Sequence, residues 1–396
     1  MLKLLVISPS FWPALKIGGP VTSVFDLCRF LREQEIDVTV YTTNVYSENE
    51  IKENTFSEID GVKIYYFGYT KYLEFLGETG WQYSSHLKRK VKENYHNFDI
   101  IYIIGIWNFP STIAIRFLSK KKVPFIVAPH GSLDPFKFSQ KGFKKKLYYK
   151  LLLGSYIRNS FIHYFTNEEA KKSSEFLNIP FNKIVVIPNG IEIKENSSSN
   201  KFLELYLHLK NKFIILYLGR LHPIKGIEVT IESLSYLKDN KDRIHLVIAG
   251  KGETSYEVKL RSLVDELSLN ELVTFTGHVE GELKSSLLSA CNLFVLQSHS
   301  EAFSMSILEA MAYGKPLIIS SNCNFDEFEN EKCGFIIPNN PKTLADKIEL
   351  LFNDKDLCSK MGDKANKLAE AKYSWENIAR EFKHAFEKII AAKKLN

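Results

Sequence analysis

The stretch that decides the fold runs from Ser298 to Pro316 and reads Ser-His-Ser-Glu-Ala-Phe-Ser-Met-Ser-Ile-Leu-Glu-Ala-Met-Ala-Tyr-Gly-Lys-Pro. The apolar run Leu293–Leu296 just before it is typical of a buried strand, and the polar residues that follow end that strand. We expect Ser304 to cap a helix, Gly314 to take the left-handed conformation after it, and Pro316 to prevent its continuation. The stretch therefore predicts a strand, a polar turn and a helix in direct succession.

Two carboxylates lie on this unit. Glu301 falls in the turn and Glu309 falls one to two turns inside the helix, so both can reach one crevice. Carboxylates accept hydrogen bonds from hydroxyl groups, and the free backbone N–H groups of Phe303, Ser304 and Met305 can donate to an anion. The combination suits a ligand that is both polyhydroxylated and phosphorylated.

Glu301 and Glu309 also have the spacing of the Glu-x7-Glu motif of retaining glycosyltransferases. With the residues that follow, Ala310, Met311, Ala312, Gly314 and Pro316, the stretch resembles glycosyltransferase family 4. The resemblance implies the α/β fold called GT-B, in which two doubly wound Rossmann-like domains face each other across a cleft. It also implies a nucleotide-sugar donor as substrate. The chain departs from the family at Ala302 and Ser304, where glycine is usual or frequent, and side chains there would crowd a sugar and indicate an atypical donor.

Length and composition agree with a large folded protein. A chain of 396 residues exceeds what one core ordinarily supports, so two domains are expected. Its 45% hydrophobic content, with 13% aromatic residues, excludes general disorder. The net charge of +6 is modest for this length and does not by itself indicate a nucleic-acid partner.

The cysteines and the apolar runs bear on the compartment. The chain has five scattered cysteines and no Cys-x-x-Cys pair, which argues against a disulfide framework and against structural zinc. The apolar run at the N-terminus is too short for a secretory signal, and no segment is long and apolar enough to span a membrane. We expect a reducing, cytoplasmic location, possible also at the inner face of the cell membrane.

Short apolar runs alternate with helix-length segments along the whole chain, which predicts parallel, doubly wound sheets. In the first half the predicted strands are Leu4–Ile7, Val38–Thr42, Val62–Phe67, Ile100–Ile106, Phe125–Ala128, His163–Thr166 and Ile184–Ile187. In the second half they are Phe213–Leu218, His245–Ala249, Val273–Thr276, Leu293–Leu296 and Leu317–Ile319. The polar segment 195–201 predicts a boundary between domains at residues 1–197 and 198–374.

An amphipathic helix is predicted at the end of the chain, over residues 375–396. Its apolar side chains, Ile378, Phe382, Phe386 and Ile389, are spaced for a single face. The family resemblance implies that this helix crosses back onto the first domain.

A pair of cations follows the first strand of the second half. The sequence Gly219-Arg220-Leu-His-Pro-Ile-Lys225-Gly226 matches the family's Gly-Arg-Leu…Lys-Gly segment. Arg220 and Lys225 at the carboxyl end of a strand suit a diphosphate, because arginine binds oxygens in a fork and lysine supplies a point charge. We expect both to be exposed and to be catalytic, although a plain surface pair near a turn is the simpler alternative.

The first half offers further candidates. His130 follows a predicted strand, and the family has at this point a histidine that contacts the reacting sugar, although a lone histidine there is more often structural. Asp134 could orient His130 or meet acceptor hydroxyls, but a turn cap is the simpler explanation. Gly18 and Gly19 precede a helix that is expected to begin at Pro20 and could bind an anion; a tight turn is the alternative.

Weaker candidates complete the predicted donor site. The family places nucleotide contacts at the loop that here contains Gly250 and Lys251, and base contacts at the segment that contains Val279. No histidine, cysteine or aspartate cluster has metal-binding spacing, and the resemblance implies no metal and no cofactor besides the nucleotide-sugar substrate. Arg220, Lys225 and a helix dipole would supply the positive charge instead.

A basic, aromatic stretch lies between Pro135 and Asn167, which contains no acidic residue. Its cations are Lys137, Lys141, Lys144, Lys145, Lys146, Lys150 and Arg158. We expect a helix here that suits an anionic membrane surface or a phosphorylated lipid, with Lys144 and Lys145 on the acceptor side. A solvated lysine face on a core helix is the alternative.

Taken together, these features predict a retaining glycosyltransferase that moves a sugar from a UDP- or GDP-sugar to a hydroxyl of a glycan or lipid-linked acceptor in surface polysaccharide assembly. One rival is an inactive scaffold subunit with the same fold. Others are a sugar-nucleotide epimerase or phosphorylase on that fold, and a nucleic-acid-binding protein that uses the lysine-rich stretch.

Overall fold

The protein divides into two compact units in its computed structural model. The structure describes residues 1–14, 16, 19–46, 51–70, 81–135, 146–193, 200–237, 241–325 and 327–394. The first unit is Met1–Gly190 together with Trp375–Asn396, and the second is Ile191–Ser374. The division falls after Gly190 instead of residue 197. The reason is that the Ile191 N–H donates to the Tyr373 carbonyl oxygen at 2.7 Å, so the chain is already part of the second unit there.

Within the described residues the strands are β1 Leu2–Ile7, β2 Ile36–Thr43, β3 Thr55–Ile59, β4 Val62–Phe67, β5 Ile100–Ile104, β6 Phe125–Ala128, β7 Phe161–Tyr164, β8 Ile184–Val186, β9 Phe213–Leu218, β10 Ile244–Ala249, β11 Val273–Gly277, β12 Leu293–Leu296, β13 Leu317–Ser320 and β14 Gly334–Ile337. The α-helices are α1 Gly19–Glu33, α2 Ser85–Asn94, α3 Phe109–Leu118, α4 Gly154–Arg158, α5 Asn167–Leu177, α6 Lys201–Leu205, α7 Ile227–Ser233, α8 Thr254–Glu266, α9 Gly281–Ala290, α10 Met305–Ala312, α11 Glu327–Asn330, α12 Pro341–Asn353, α13 Lys355–Tyr373 and α14 Trp375–Lys394. A π-helical turn, Tyr149–Leu153, leads into α4.

The first unit is built on an eight-stranded sheet of order β3-β4-β2-β1-β5-β6-β7-β8. All its pairings are parallel except that of β3 with β4. Helices α1 and α14 pack together on one core cluster, whereas α2, α3 and α4 contribute to another. The four apolar positions predicted for one face of α14 are all buried, because they pack in the same cluster as α1.

The second unit is built on a fully parallel six-stranded sheet of order β11-β10-β9-β12-β13-β14. Numbered from the start of this unit, that order is 3-2-1-4-5-6, the order of the dinucleotide-binding Rossmann fold. In such a sheet, ligands bind beyond the carboxyl ends of the strands, where the strand order reverses. Here the reversal lies between β9 and β12.

The structure differs from the predicted elements in instructive places. Strand β3 was missed because its side chains are partly or fully exposed and form no apolar run. The strand expected at His163–Thr166 is Phe161–Tyr164, because the Thr166 hydroxyl caps α5 by accepting the Glu169 N–H. The strand expected to reach Ile106 ends at Ile104, before Gly105 with a φ of 73°. No described helix is long and apolar enough to cross a membrane.

Candidate active site

A predicted cation and a predicted carboxylate of the second unit meet at the point where its strand order reverses. Lys225 follows β9 and Glu301 follows β12, and these two strands are hydrogen-bonded neighbours. The Lys225 Nζ lies 2.5 Å from Glu301 Oε1, with the side chains only 20% and 9% exposed. The structure therefore brings the lysine and the first glutamate of the motif into a mostly buried ion pair, and Lys225 is not the exposed cation that its position near a turn suggested.

Backbone contacts hold both members of this pair. The Glu301 N–H donates to the Asn322 carbonyl oxygen at 3.1 Å, and the Asn324 side-chain amide donates to the Glu301 carbonyl oxygen at 2.6 Å. The His299 N–H donates to the Ile224 carbonyl oxygen at 2.7 Å. The turn after β12 is thus tied to the Lys225 loop and to the loop after β13.

Gly226 makes this close approach possible. Its φ is 60°, a left-handed conformation, and a Cβ built on it would lie 1.9 Å from the Gln297 carbonyl oxygen. A side chain at this position would push the Lys225 loop away from the end of β12. Glycine here is a packing requirement of the site.

Arg220 has different surroundings. Its side chain is exposed, and in the described part of the chain no carboxylate lies within 4.0 Å of its guanidinium group. The Tyr217 hydroxyl donates to the Arg220 carbonyl oxygen at 2.9 Å. Burial, followed by the negative charge of Glu301, raises the pKa of Tyr217, so this phenol stays protonated and supports the arginine loop. Among the described residues, Arg220 therefore offers a positive charge without an ion-pair partner at the carboxyl end of β9.

The turn before α10 presents a helix N-terminus. Ser304 occupies the N-cap position with extended backbone, but its hydroxyl makes no cap hydrogen bond and lies 3.1 Å from the Ser306 hydroxyl. The predicted N-cap position is therefore confirmed, but without a side-chain cap, so the first N–H groups of α10, near Met305, lack that acceptor. Phe303 packs instead on Phe325, with ring centroids 5.0 Å apart. Gly314 has the expected left-handed conformation, with a φ of 63°.

The second glutamate of the motif has a partner that the sequence did not reveal. Lys284 Nζ, on α9, lies 2.7 Å from Glu309 Oε1, and their side chains are 33% and 20% exposed. No motif or spacing pointed to Lys284, which stands 25 residues before Glu309 on a different helix. The positions of the two glutamates are therefore both set by lysines, but by lysines from different elements.

The loop after β10, which contains Gly250 and Gly252, packs closely against neighbouring loops through its backbone. The Gly250 N–H donates to the Gly277 carbonyl oxygen at 2.8 Å, and the Gly252 N–H donates to the Glu257 carboxylate at 2.7 Å. A Cβ on Gly250 would lie 1.8 Å from the Gly219 carbonyl oxygen. These glycines serve the close packing of adjoining loops, and their N–H groups are already bonded. Lys251 is exposed beside Gly277, whereas Val279 is buried.

In the first unit, His130 follows β6 with a φ of 50°, which is unusual for a residue with a side chain. Its Nε2 atom is buried without a hydrogen-bond partner among the described residues. Burial, followed by the neighbouring His163, lowers the pKa of His130 to about 3, so the ring is neutral at physiological pH. A buried polar atom that lacks a partner is uncommon in proteins and needs an explanation, of which a bound water, ion or substrate is one.

Glu169 supports the His130 turn from α5. Its carboxylate is 2% exposed and accepts the Gly131 N–H at 3.1 Å and the Phe165 N–H at 3.0 Å. It therefore links the chain after β6 to the chain after β7. The first unit's other predicted site residues are Gly19, which is exposed at the start of α1, and Asp134, whose N–H donates to the Gly131 carbonyl oxygen at 3.4 Å.

Three predicted site residues, Gly18, Lys144 and Lys145, lie outside the described residues. Across the described ranges, no group of three or more histidine, cysteine, aspartate or glutamate side chains is placed to hold a metal ion.

Comparison with known proteins identifies both halves of the chain. Residues 201–368 match the family model for glycosyl transferases group 1, and residues 17–195 match the model for Glycosyltransferase Family 4. By both models the chain is a glycosyltransferase. The resemblance expected from Glu301 and Glu309 is thereby confirmed.

Relatives and solved structures agree with this assignment. An uncharacterized glycosyltransferase of Methanocaldococcus jannaschii is 27% identical over 403 aligned residues, covering 98% of each chain. The N,N'-diacetylbacillosaminyl-diphospho-undecaprenol alpha-1,3-N-acetylgalactosaminyltransferase of Campylobacter jejuni is 28% identical over 308 residues, covering 74% of this chain and 78% of that one. The crystal structure of Anabaena HepE in complex with UDP has a TM-score of 0.74 at 20% identity, covering 98% of this chain and all of that one. The predicted GT-B fold is therefore confirmed.

Proposed function

We propose that this glycosyltransferase moves a sugar from a nucleoside diphosphate sugar to a hydroxyl of a glycan or lipid-linked acceptor, with retention at the anomeric carbon. The observation that supports the proposal most is the meeting of Lys225 and Glu301 at 2.5 Å beyond the carboxyl ends of β9 and β12, with the exposed Arg220 on the loop that also carries Lys225. Sugar hydroxyls need acceptors and a departing diphosphate needs cations. This place in the second unit offers both.

Arg220 and Lys225 are assigned to the leaving group. As the bond between the sugar and the diphosphate breaks, negative charge grows on the phosphate oxygens, and prearranged cations stabilise that charge more than they stabilise the ground state. An ammonium group has three donors. One Lys225 donor is used by Glu301, so the others remain for phosphate oxygens while the pair persists.

Glu301 is assigned to the hydroxyls of the transferred sugar and Glu309 to the ribose of the nucleotide. In the first unit, we assign a contact with the reacting sugar to His130, because the buried Nε2 atom needs a partner. For retention we adopt the front-face reaction that the family resemblance implies, in which the acceptor oxygen attacks on the side from which the diphosphate departs. The product then keeps the anomeric configuration of the donor.

A panel of nucleotides tests the donor. UDP, GDP and their sugar conjugates should be compared by thermal shift, since a ligand that binds only the folded protein raises its melting temperature. UDP-sugars come first, because HepE was crystallised with UDP. We expect one nucleoside diphosphate to stabilise the wild-type protein and Arg220→Ala to lose most of that shift. A protein stabilised by none of them would favour the scaffold alternative.

Transfer assays separate the remaining alternatives. Consumption of the nucleotide sugar should require an acceptor and should yield a product with the donor's anomeric configuration by NMR. Conversion without an acceptor would favour an epimerase, and a requirement for phosphate would favour a phosphorylase. We also propose that protein cations do the work of a divalent metal, so that the transfer rate should be unchanged by EDTA.

We further propose that the first unit contacts an anionic membrane. Three packed segments, α2, α3 with the residues up to Lys122, and 146–158, carry eleven of the chain's 52 lysine and arginine side chains but only one of its 46 acidic side chains. Two leucines one helical turn apart, Leu147 and Leu151, are 47% and 65% exposed among these cations. Cations with exposed apolar side chains suit the boundary of an anionic bilayer. A lipid-linked acceptor fits this location, and the Campylobacter jejuni relative is named for a diphospho-undecaprenol substrate.

A further inference from the structure

Among the described residues, Lys284 forms an ion pair with Glu309, the second glutamate of the motif, and the proposed function assigns it no role. Its Nζ lies 2.7 Å from Glu309 Oε1, and the pair joins α9 to α10. Within the described residues, the Glu309 carboxylate bonds to no other side chain. The environment of this carboxylate is therefore set by one ammonium group.

The place of Lys284 on its helix is unfavourable for a lysine that is only solvated. It is the fourth residue of α9, which begins at Gly281. The positive end of the helix dipole lies at that end and disfavours a cation there. A residue that breaks a local rule is often kept for function. The helix starts beyond the carboxyl end of β11, at the edge of the sheet where Lys225 and Glu301 also lie.

A second ion pair, which joins α6 to α9, shows the contrast. Lys201 and Glu282 approach within 2.8 Å, but their side chains are 50% and 60% exposed. Exposed pairs of this kind contribute little to stability. The Lys284–Glu309 pair is less exposed on both sides, at 33% and 20%, and so constrains its carboxylate more strongly.

The Glu309 carboxylate can still bind a ligand while it is held by Lys284. An ionised carboxylate has two oxygens and accepts about four hydrogen bonds. Lys284 occupies Oε1, which leaves Oε2 for a ligand. The vicinal hydroxyls of a ribose are two adjacent donors, and a carboxylate whose rotamer is already held loses less freedom when it binds them.

We propose that Lys284 is a positioning residue, which holds the Glu309 carboxylate for the ribose hydroxyls and so makes the donor site select ribonucleotides over deoxyribonucleotides. This inference rests on the proposed function, because it assumes that Glu309 receives the ribose. Lys284 acts through Glu309 and needs no contact with the reacting atoms.

The test compares UDP with 2′-deoxy-UDP, or the two corresponding guanine nucleotides if the panel selects GDP. In the wild-type protein, loss of one hydroxyl donor to a carboxylate should weaken binding about tenfold or more. Lys284→Met should weaken UDP binding about tenfold and reduce the preference for ribose to about twofold, because the freed carboxylate is no longer aligned. Lys284→Arg keeps a cation and should restore most of the preference.

A matched control comes from Lys201 on α6, whose ion-pair partner Glu282 lies on the same helix as Lys284. Lys201→Met removes the exposed ion pair to Glu282 and should leave both affinities unchanged. In transfer assays, Lys284→Met should raise the donor KM and leave kcat within about twofold, because the lost interaction is equal in the ground and transition states. Melting temperatures of both variants close to that of the wild-type protein will show that the fold is intact.

The outcomes separate this inference from the function on which it rests. If Lys284→Met keeps the wild-type preference for ribose, the positioning role is wrong. If the variant binds UDP more tightly than the wild type, Lys284 competes with the ribose, which also overturns the role. If the wild-type protein binds no nucleoside diphosphate, the proposed donor site itself fails.

Discussion

At the scale of single residues, the two cations assigned to the diphosphate differ in what else they do. Arg220→Ala should lower kcat by about a hundredfold, the equivalent of about 3 kcal/mol, because one aligned donor to the leaving group is lost. Its melting temperature should change little, because the Arg220 side chain is exposed. Lys225→Ala should lower kcat and also the free energy of unfolding, by about 2 kcal/mol, because the buried charge of Glu301 is left without its partner. Steady-state kinetics and urea unfolding measure the two effects. Equal stability losses in both variants would contradict this difference.

Substitution of Glu301 and of Glu309 should impair different steps, transfer in one case and nucleotide binding in the other. Glu301→Gln should abolish most transfer and leave the affinity for the free nucleoside diphosphate nearly unchanged, because Glu301 is assigned to the transferred sugar. Glu309→Gln should weaken that affinity about tenfold, because a ribose hydroxyl then meets a neutral amide. Isothermal titration with the nucleotide and single-turnover assays give the two readings. Similar losses of nucleotide affinity in both variants would merge the roles.

The sequence predicted chemical groups more readily than partners. Glu301, Glu309, Arg220 and Lys225 were found because their types and spacing form a motif. The contacts made by Lys284, Glu169 and Asn324 join positions that are distant along the chain, and no local pattern encodes such pairs. The exposure of Lys225 was predicted wrongly for the same reason, since its partner lies 76 residues away.

At the scale of elements, one glycine decides how closely the β9 and β12 loops approach. Gly226→Ala places a methyl group 1.9 Å from the Gln297 carbonyl oxygen at a φ of 60°. Gly281→Ala is the matched control, because Gly281 has a φ of 55° and nothing within 4 Å of the added Cβ. The control should lose about 1 kcal/mol of stability from backbone strain alone, whereas Gly226→Ala should lose at least about twice as much and also most activity. Urea unfolding of both variants checks the difference.

The bounds of four strands were predicted correctly from their apolar runs. Strands β4, β6, β9 and β12 have the predicted bounds, because each has polar, glycine or proline residues close to at least one end. Strand β14 was missed since it is short and begins with glycine, and β3 was missed since neither of its faces is buried. The glycine loop after β10 was predicted as a ligand contact, but whether its N–H groups are already bonded depends on neighbouring strands that the local sequence does not describe.

At the scale of the whole molecule, buried histidines should make stability depend on pH. The His163 Nε2–H donates to the Ile187 carbonyl oxygen at 2.7 Å, so Nδ1 accepts the Tyr102 hydroxyl at 2.8 Å and the ring is neutral. Burial lowers the pKa of His163 from 6.5 to about 4. Between these values the unfolded chain binds more protons than the folded one, so stability falls as the pH decreases from 6.5 to about 4 and changes little below that.

The expected loss from His163 over that window is on the order of 3 kcal/mol. His163→Gln, which has no titratable group, should melt at a lower temperature at pH 7 but show a shallower decrease between pH 6.5 and 4. Melting curves at half-unit pH intervals measure both slopes. Parallel slopes in the two proteins would show that His163 does not titrate in this window.

The boundary between the two units is set by packing and backbone contacts, which a change in composition along the sequence does not reveal. The polar segment 195–201 suggested the boundary, but the chain changes unit near Gly190. A Cβ on Gly190 would lie 2.3 Å from the Trp375 ring, and the next residue, Ile191, bonds to Tyr373. The bare backbone of Gly190 therefore serves the packing of α14 in the first unit.

The membrane proposal gives the last prediction, because it concerns one side of the first unit. Each lysine near an anionic surface contributes about 1 kcal/mol, decreasing with salt, and exposed leucines add apolar burial that does not depend on salt. Wild-type protein should therefore float with vesicles of anionic phospholipid at low salt and be released only partly by high salt. The combined variant Lys146→Glu and Lys150→Glu should lose flotation and transfer to a lipid-linked acceptor, but keep nucleotide binding.

Two comparisons decide what the basic surface recognises. Lys360→Glu with Lys367→Glu makes the same charge change on exposed positions of α13 in the second unit, and should float like the wild type. Leu147→Ser with Leu151→Ser should weaken flotation while leaving any binding to DNA unchanged, because a phosphate backbone attracts the cations but gains nothing from exposed leucines. If the leucine variant floats normally and DNA competes with vesicles for the wild-type protein, the surface is a general polyanion site. If the wild type stays in the soluble fraction at low salt, these lysines form only a solvated face.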